Sequence, residues 1–75
     1  MEFEGIFGLI LKELRSQKKI SQSELADLAE LDRTYISLLE RGLRKPTIET
    51  VFKLAEALNI KASLIIQKME TYNEN

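Results

Sequence analysis

The segment from Ser21 to Pro46, SQSELADLAELDRTYISLLERGLRKP, leaves the backbone few courses to follow. Ser21 offers a hydroxyl to cap a helix, and Glu24, three residues on, can reach back to complete a capping box. Leu25, Ala26 and Ala29 then make one buried side, and the small alanines let another helix come close. Asp32 caps a second short helix running to Arg41, with Ile36 and Leu39 turned inward. Gly42 supplies a left-handed C-terminal residue, and Pro46 bars any continuation. The result is a pair of short amphipathic helices joined by a tight turn, over about residues 21–41.

Helical spacing extends to both sides of that pair. Phe7, Leu11 and Leu14 share a stripe that predicts a helix from about Ile6 to Lys18. Thr47 caps a fourth helix with Ile48, Val51, Leu54, Ala55 and Leu58 on its apolar side, and Asn59 is a tolerable left-handed stop. A fifth helix is expected from about Ala62 to Met69, followed by a polar tail, Thr71 to Asn75, that should fray. No stretch alternates with period two, and there are no repeats or linkers. The expected fold is all-α, a compact five-helix bundle in one domain over residues 1–75.

Composition excludes more than it assigns. The chain has no Cys and no His, so disulfides, the usual zinc ligands and the commonest catalytic base are all missing, and no metal or cofactor is expected. A carboxylate pair on a short bundle without pocket-forming insertions gives no mechanism, so an enzyme is not expected, nor a small-molecule ligand. No apolar run approaches the roughly 18 residues of a membrane span, and no signal-peptide pattern is present. A soluble cytoplasmic protein is the expectation. The net charge of −1 is not the bulk signature of a nucleic-acid binder. Its distribution says otherwise, because Arg33, Arg41, Arg44 and Lys45 cluster against Glu40 alone.

That basic cluster surrounds the second short helix. With Ile36 and Leu39 inward, Arg33, Thr34, Ser37 and Leu38 lie on the outer arc. Polar side chains at the N-terminus of a helix backed by a core are what reading base edges in the major groove of double-stranded DNA requires. Arg33 can fork onto guanine O6 and N7, and its charge is otherwise awkward at a positive helix end. Thr34 and Ser37 suit base edges or serve as ordinary polar residues; Leu38 suits a thymine methyl or is a single exposed leucine. Tyr35 either reaches the phosphate backbone or packs beside the fourth helix. Arg41, and Arg44 with Lys45 in the following loop, are placed to meet phosphates.

Ser21-Gln22 through Ala29, Leu31 to Ser37, Glu40-Arg41-Gly42 and Pro46-Thr47 together resemble the lambda-repressor-like, Xre-type helix-turn-helix regulators. The likeness covers about residues 7–66. The Leu-Asp-Arg-Thr-Tyr-Ile-Ser stretch is most similar to the controller proteins of restriction–modification systems, with prophage-type repressors and antitoxins of the same fold as alternatives. The resemblance implies a transcriptional regulator on palindromic operators. It puts Gln22 on a phosphate and makes Arg15 and Glu40 an internal ion pair. Lys19 and Glu30 stand where relatives often carry glycine, and left-handed backbone there would cost each about 1 kcal/mol.

The last two helices carry more apolar residues than one face consumes. Phe52, Leu64, Ile65 and Met69 are therefore expected at a homodimer interface that would pair two reading helices. The competing arrangement folds this surplus onto the first helix.

Overall fold

In the computed structural model, which describes residues 2–73, the chain forms α1 (Phe3–Gln17), α2 (Gln22–Ala29), α3 (Arg33–Glu40), α4 (Ile48–Ala57) and α5 (Ala62–Asn73). Three N-termini are fixed by the side chains that the sequence offers. Ser21 and Glu24 close the capping box at α2, Asp32 accepts from Thr34 N–H at α3, and Thr47 accepts from Thr50 N–H at α4. Each cap satisfies donors that the first helical turn leaves open.

The helix ends share one device. At the close of α1, α2, α3 and α4 a left-handed residue turns the chain: Lys19 (φ 59°), Glu30 (φ 57°), Gly42 (φ 73°) and Asn59 (φ 58°). The N–H after each reaches back to a helical carbonyl, Ile20 to Arg15, Leu31 to Ala26, Leu43 to Leu38 and Ile60 to Ala55. This is the Schellman arrangement, and an apolar residue past the turn usually completes it. Ile20, Leu31 and Ile60 do so by packing on the core. Leu43 does not, and stays exposed.

Phe7, Leu11, Leu25, Ile36, Leu39, Leu54, Leu58 and Ile65 are the largest fully buried side chains. Around them α1 packs on α3 and α5, α2 on α3 and α4, and α4 on α5. One contact depends on a missing side chain. A Cβ at Gly8 would stand 2.5 Å from the Leu39 carbonyl oxygen and 2.7 Å from that of Glu40. Both are backbone atoms, so α1 could not lie this close to the end of α3 with any other residue there.

Several expectations need correction. α1 begins at Phe3, not Ile6, because Ile6 N–H already bonds the Glu2 carbonyl, with no side-chain cap to mark the start. Ile48 is 68% exposed and lies off the core side of α4. The expected frayed tail is helical through Asn73, since Thr71 and Tyr72 line a hollow against Leu9 and Ile10 of α1. Glu74 and Asn75 lie outside the described residues.

Two substitutions probe these features. Gly8→Ala should cost about 3 kcal/mol by forcing α1 off α3. Thermal unfolding should show Tm lower by more than about 10 °C. Glu30→Gly should instead raise stability by up to about 1 kcal/mol, because it removes left-handed strain without touching the core. Denaturant titration at constant m-value measures it.

Candidate nucleic-acid interface

α3 is held from behind and open in front. Ile36 and Leu39 are fully buried, while Arg33 and Thr34 are exposed and Ser37 and Leu38 are half-buried on the outer arc. Asp32 accepts from Thr34 N–H at 3.3 Å, which orders the first turn that carries Arg33. Arg41, just past the helix, lays its Nε 3.4 Å from the Ser37 carbonyl and is otherwise exposed. Arg44 and Lys45 stand in solvent on the loop before Pro46. The outer arc of α3 and its basic flank thus form one surface.

Beside that surface, Arg15, Gln22 and Glu40 form a connected cluster. Arg15 Nε lies 2.6 Å from Glu40 Oε2 and Nη2 lies 3.0 Å from Oε1, a fork on a fork. Nη1 donates to the Ile20 carbonyl at 2.8 Å. Gln22 Nε2 donates to Glu40 Oε1 at 3.0 Å. Donating hydrogen bonds to Glu40 raises the Arg15 guanidinium above its ordinary range, desolvation opposes this, and the carboxylate's charge adds to the rise. The cluster joins α1, the start of α2 and the end of α3.

Tyr35 is half-buried against the core, its hydroxyl 3.4 Å from Thr50 Oγ1. Thr50 is itself buried and meets Thr47 Oγ1 at 3.0 Å. Both arrangements foreseen for Tyr35 keep a physical basis here, because the ring packs beside α4 while the long hydroxyl contact is weak.

The dimer residues separate. Ile65 is 1% exposed and Met69 8%, so both belong to the protomer's own core and are not available to a second copy. The reason is that α5 lies across both α1 and α4 and spends that stripe internally. Phe52 is 61% exposed and lines an apolar hollow with Ile48, Val51 and Ile66. Leu64 is half-buried on the other side of α5, in the hollow shared with Leu9, Ile10 and Tyr72.

Sequence reasoning missed three things here: the Gln22–Glu40 bond, the Thr47–Thr50–Tyr35 hydroxyl run, and the seat that Gly8 provides for α3. The glycine inside an otherwise apolar helical stripe was a usable signal for the last. Among the described residues no group of acidic side chains could hold a metal ion, and no helix is long and apolar enough to cross a membrane.

Residues 11–65 match the family described as Helix-turn-helix. The control protein C.SmaI of Serratia marcescens is 32% identical over 74 residues, covering 99% of this chain and 88% of that protein. The crystal structure of the restriction–modification controller C.AhdI from Aeromonas hydrophila superposes with a TM-score of 0.81 at 42% identity, covering 83% of this chain and 94% of that one. The controller C.Esp1396I, solved as a tetramer with its natural 35 base-pair operator, gives a TM-score of 0.85 at 28% identity over 95% of both chains. The chain belongs to the lambda-repressor-like helix-turn-helix family and is similar, over nearly all of its length, to restriction–modification controller proteins.

Proposed function

We propose that the protein is a sequence-specific transcriptional regulator, acting in the cytoplasm as a homodimer on palindromic DNA operators and controlling a restriction–modification system. The observation that carries this reading is the outer arc of α3, solvent-facing at Arg33 and Thr34 and rigidly backed by Ile36 and Leu39. A helix presented this way can enter a major groove without unfolding anything. Arg33, Thr34, Ser37 and Leu38 read bases, with Arg33 on guanine. Gln22, Arg41, Arg44 and Lys45 meet phosphates and set the register. Tyr35 joins them by exchanging its long contact with Thr50 for a phosphate oxygen. No reaction is assigned to the protein. The match to C.SmaI across almost the whole of both chains supports a controller over an antitoxin.

The homodimer forms through Phe52, Ile48 and Ile66, the side chains that leave an apolar hollow open between α4 and α5. A domain this small gains from burying such a face, and a two-fold axis there repeats the reading helix for the second half-site.

Arg33→Ala should weaken operator binding by about 1–3 kcal/mol per half-site and relax preference at one base pair in each. Selection from a random DNA pool, compared with wild type, reads this out; unchanged base preference means Arg33 does not read sequence. Circular dichroism should stay as in wild type, since Arg33 is exposed.

Phe52→Asp sets a carboxylate into the dimer interface, at several kcal/mol if it stays ionised. Sedimentation should show monomer with helical content retained and operator affinity lost. Leu64→Asp, on the opposite side of α5, should leave the dimer intact. Dimer in Phe52→Asp would move the interface elsewhere.

A further inference from the structure

The groove between α1 and α5 has no part in the DNA-binding reading. Leu9 and Tyr72 line it, 46% and 43% exposed, together with buried Ile10 and half-buried Leu64. A lone exposed leucine needs no explanation, but apolar side chains gathered in one hollow mark a contact surface. The hollow lies away from the reading helix. The helices pack in a ring, α3 on α1, α1 on α5, α5 on α4, α4 on α2 and α2 on α3, so the α1–α5 seam stands across the bundle from α2. α5 also separates it from the hollow at Phe52, for Leu64 belongs to one and Ile66 to the other.

The charges on this lining say what fits it. Glu13 on the α1 wall and Lys68 on the α5 wall are its charged members. Their atoms stand 3.9 Å apart, at the limit of an ion pair, with side chains 58% and 36% exposed. A pair this open is held loosely and exchanges partners at little cost. Because it spans the groove, the two charges stand level with each other along it. A two-fold axis laid along the groove carries α1 of one copy over α5 of a second. Glu13 then faces the partner's Lys68, and Lys68 faces the partner's Glu13. Leu9 comes down on the partner's α5 wall, which carries Leu64 and Tyr72, and the axis repeats that contact. An isologous face must be self-complementary in this way. A groove with one acidic and one basic wall meets the condition; two walls of the same sign would not.

We propose that the α1–α5 groove is a second self-association face, separate from the contact at Phe52, through which one dimer takes another without needing DNA. The homodimer reading enters only as the size of the unit that associates. The face is small and its ion pairs are exposed, so it closes weakly, at about 0.1–1 mM. At micromolar protein the Phe52 contact alone holds. Dimers held on one DNA molecule reach such concentrations locally, and there the face joins them without covering α3.

Sedimentation of the full chain without DNA, from about 10 μM to about 1 mM, provides the test. Wild type should gain mass beyond its micromolar species as concentration rises. Leu64→Asp should keep the micromolar species and lose the gain. Glu13→Lys makes both walls basic and Lys68→Glu makes both acidic, so each alone should associate at least about tenfold more weakly. Mixed in equal amounts, the two variants should associate within about threefold of wild type, because basic walls then meet acidic ones. A pair that acted only inside the protomer would be lost in both variants and would regain nothing on mixing. A mixture that fails to associate overturns the proposal, as does wild type that gains no mass up to about 1 mM. Should Leu64→Asp fail to fold, the mixture decides by itself, since Glu13 and Lys68 both reach solvent. DNA affinity measured on dilute protein tests the regulatory reading separately, and its loss leaves this face standing.

Discussion

A guanidinium and a carboxylate that meet through parallel bonds, as Arg15 and Glu40 do, fix direction as well as distance. Their side chains are only 14% and 3% exposed, so solvent cannot stand in for a lost partner. Burial of such a pair is weak evidence for net stability, because desolvation offsets much of the attraction. Its consequence here is geometric. The pair pins the end of α3 to α1 at the place where Gly8 has already let the two backbones touch. Either feature alone would leave α3 able to rotate or lift. Together they set the height and the angle at which Arg33 and Thr34 are offered outward.

The same economy governs the turns. Four helices end by reaching back across a left-handed residue, but only Gly42 is free of the steric cost that Lys19, Glu30 and Asn59 carry. The compensation lies one residue on, where Ile20, Leu31 and Ile60 drive into the core. Gly42 lacks that anchor, since Leu43 stays exposed. The chain therefore uses its permissive residue at the one turn whose following loop is not pulled inward. Arg44 and Lys45 leave that turn pointing into solvent, available to a polyanion.

Features written in local chemistry were legible from the sequence. Caps at Ser21, Asp32 and Thr47, the stop at Gly42 and the inward stripe of Ile36 and Leu39 each depend on residues a few positions apart. Legibility failed where distance along the chain intervened. Whether α5 spends Ile65 and Met69 internally depends on how it crosses α1 and α4, which no window of sequence contains. The Gln22–Glu40 bond spans 18 positions and looks, in sequence, like two unrelated polar residues. α1 began early for the opposite reason: its first turn holds Glu4, suited to the dipole, but no cap to announce it.

Charge and apolar surface divide the molecule in a way that its totals conceal. The net charge of −1 averages a basic stretch around α3 with an acidic α2 and mixed charge elsewhere. Glu13, Glu24, Asp27 and Glu30 are all exposed, whereas the cations from Arg33 to Lys45 have Glu40 as their acidic counterweight, and Arg15 already occupies that carboxylate. A phosphate backbone therefore meets the densest run of positive charge on the segment from Arg33 to Lys45. Weak bulk attraction limits unspecific adhesion, while the local field still steers encounter. The open hollow at Phe52, Ile48 and Ile66 lies on α4 and α5, apart from the outer arc of α3. Association through that hollow would double the basic face without covering it, and two half-sites would then supply the affinity that one weakly charged protomer cannot.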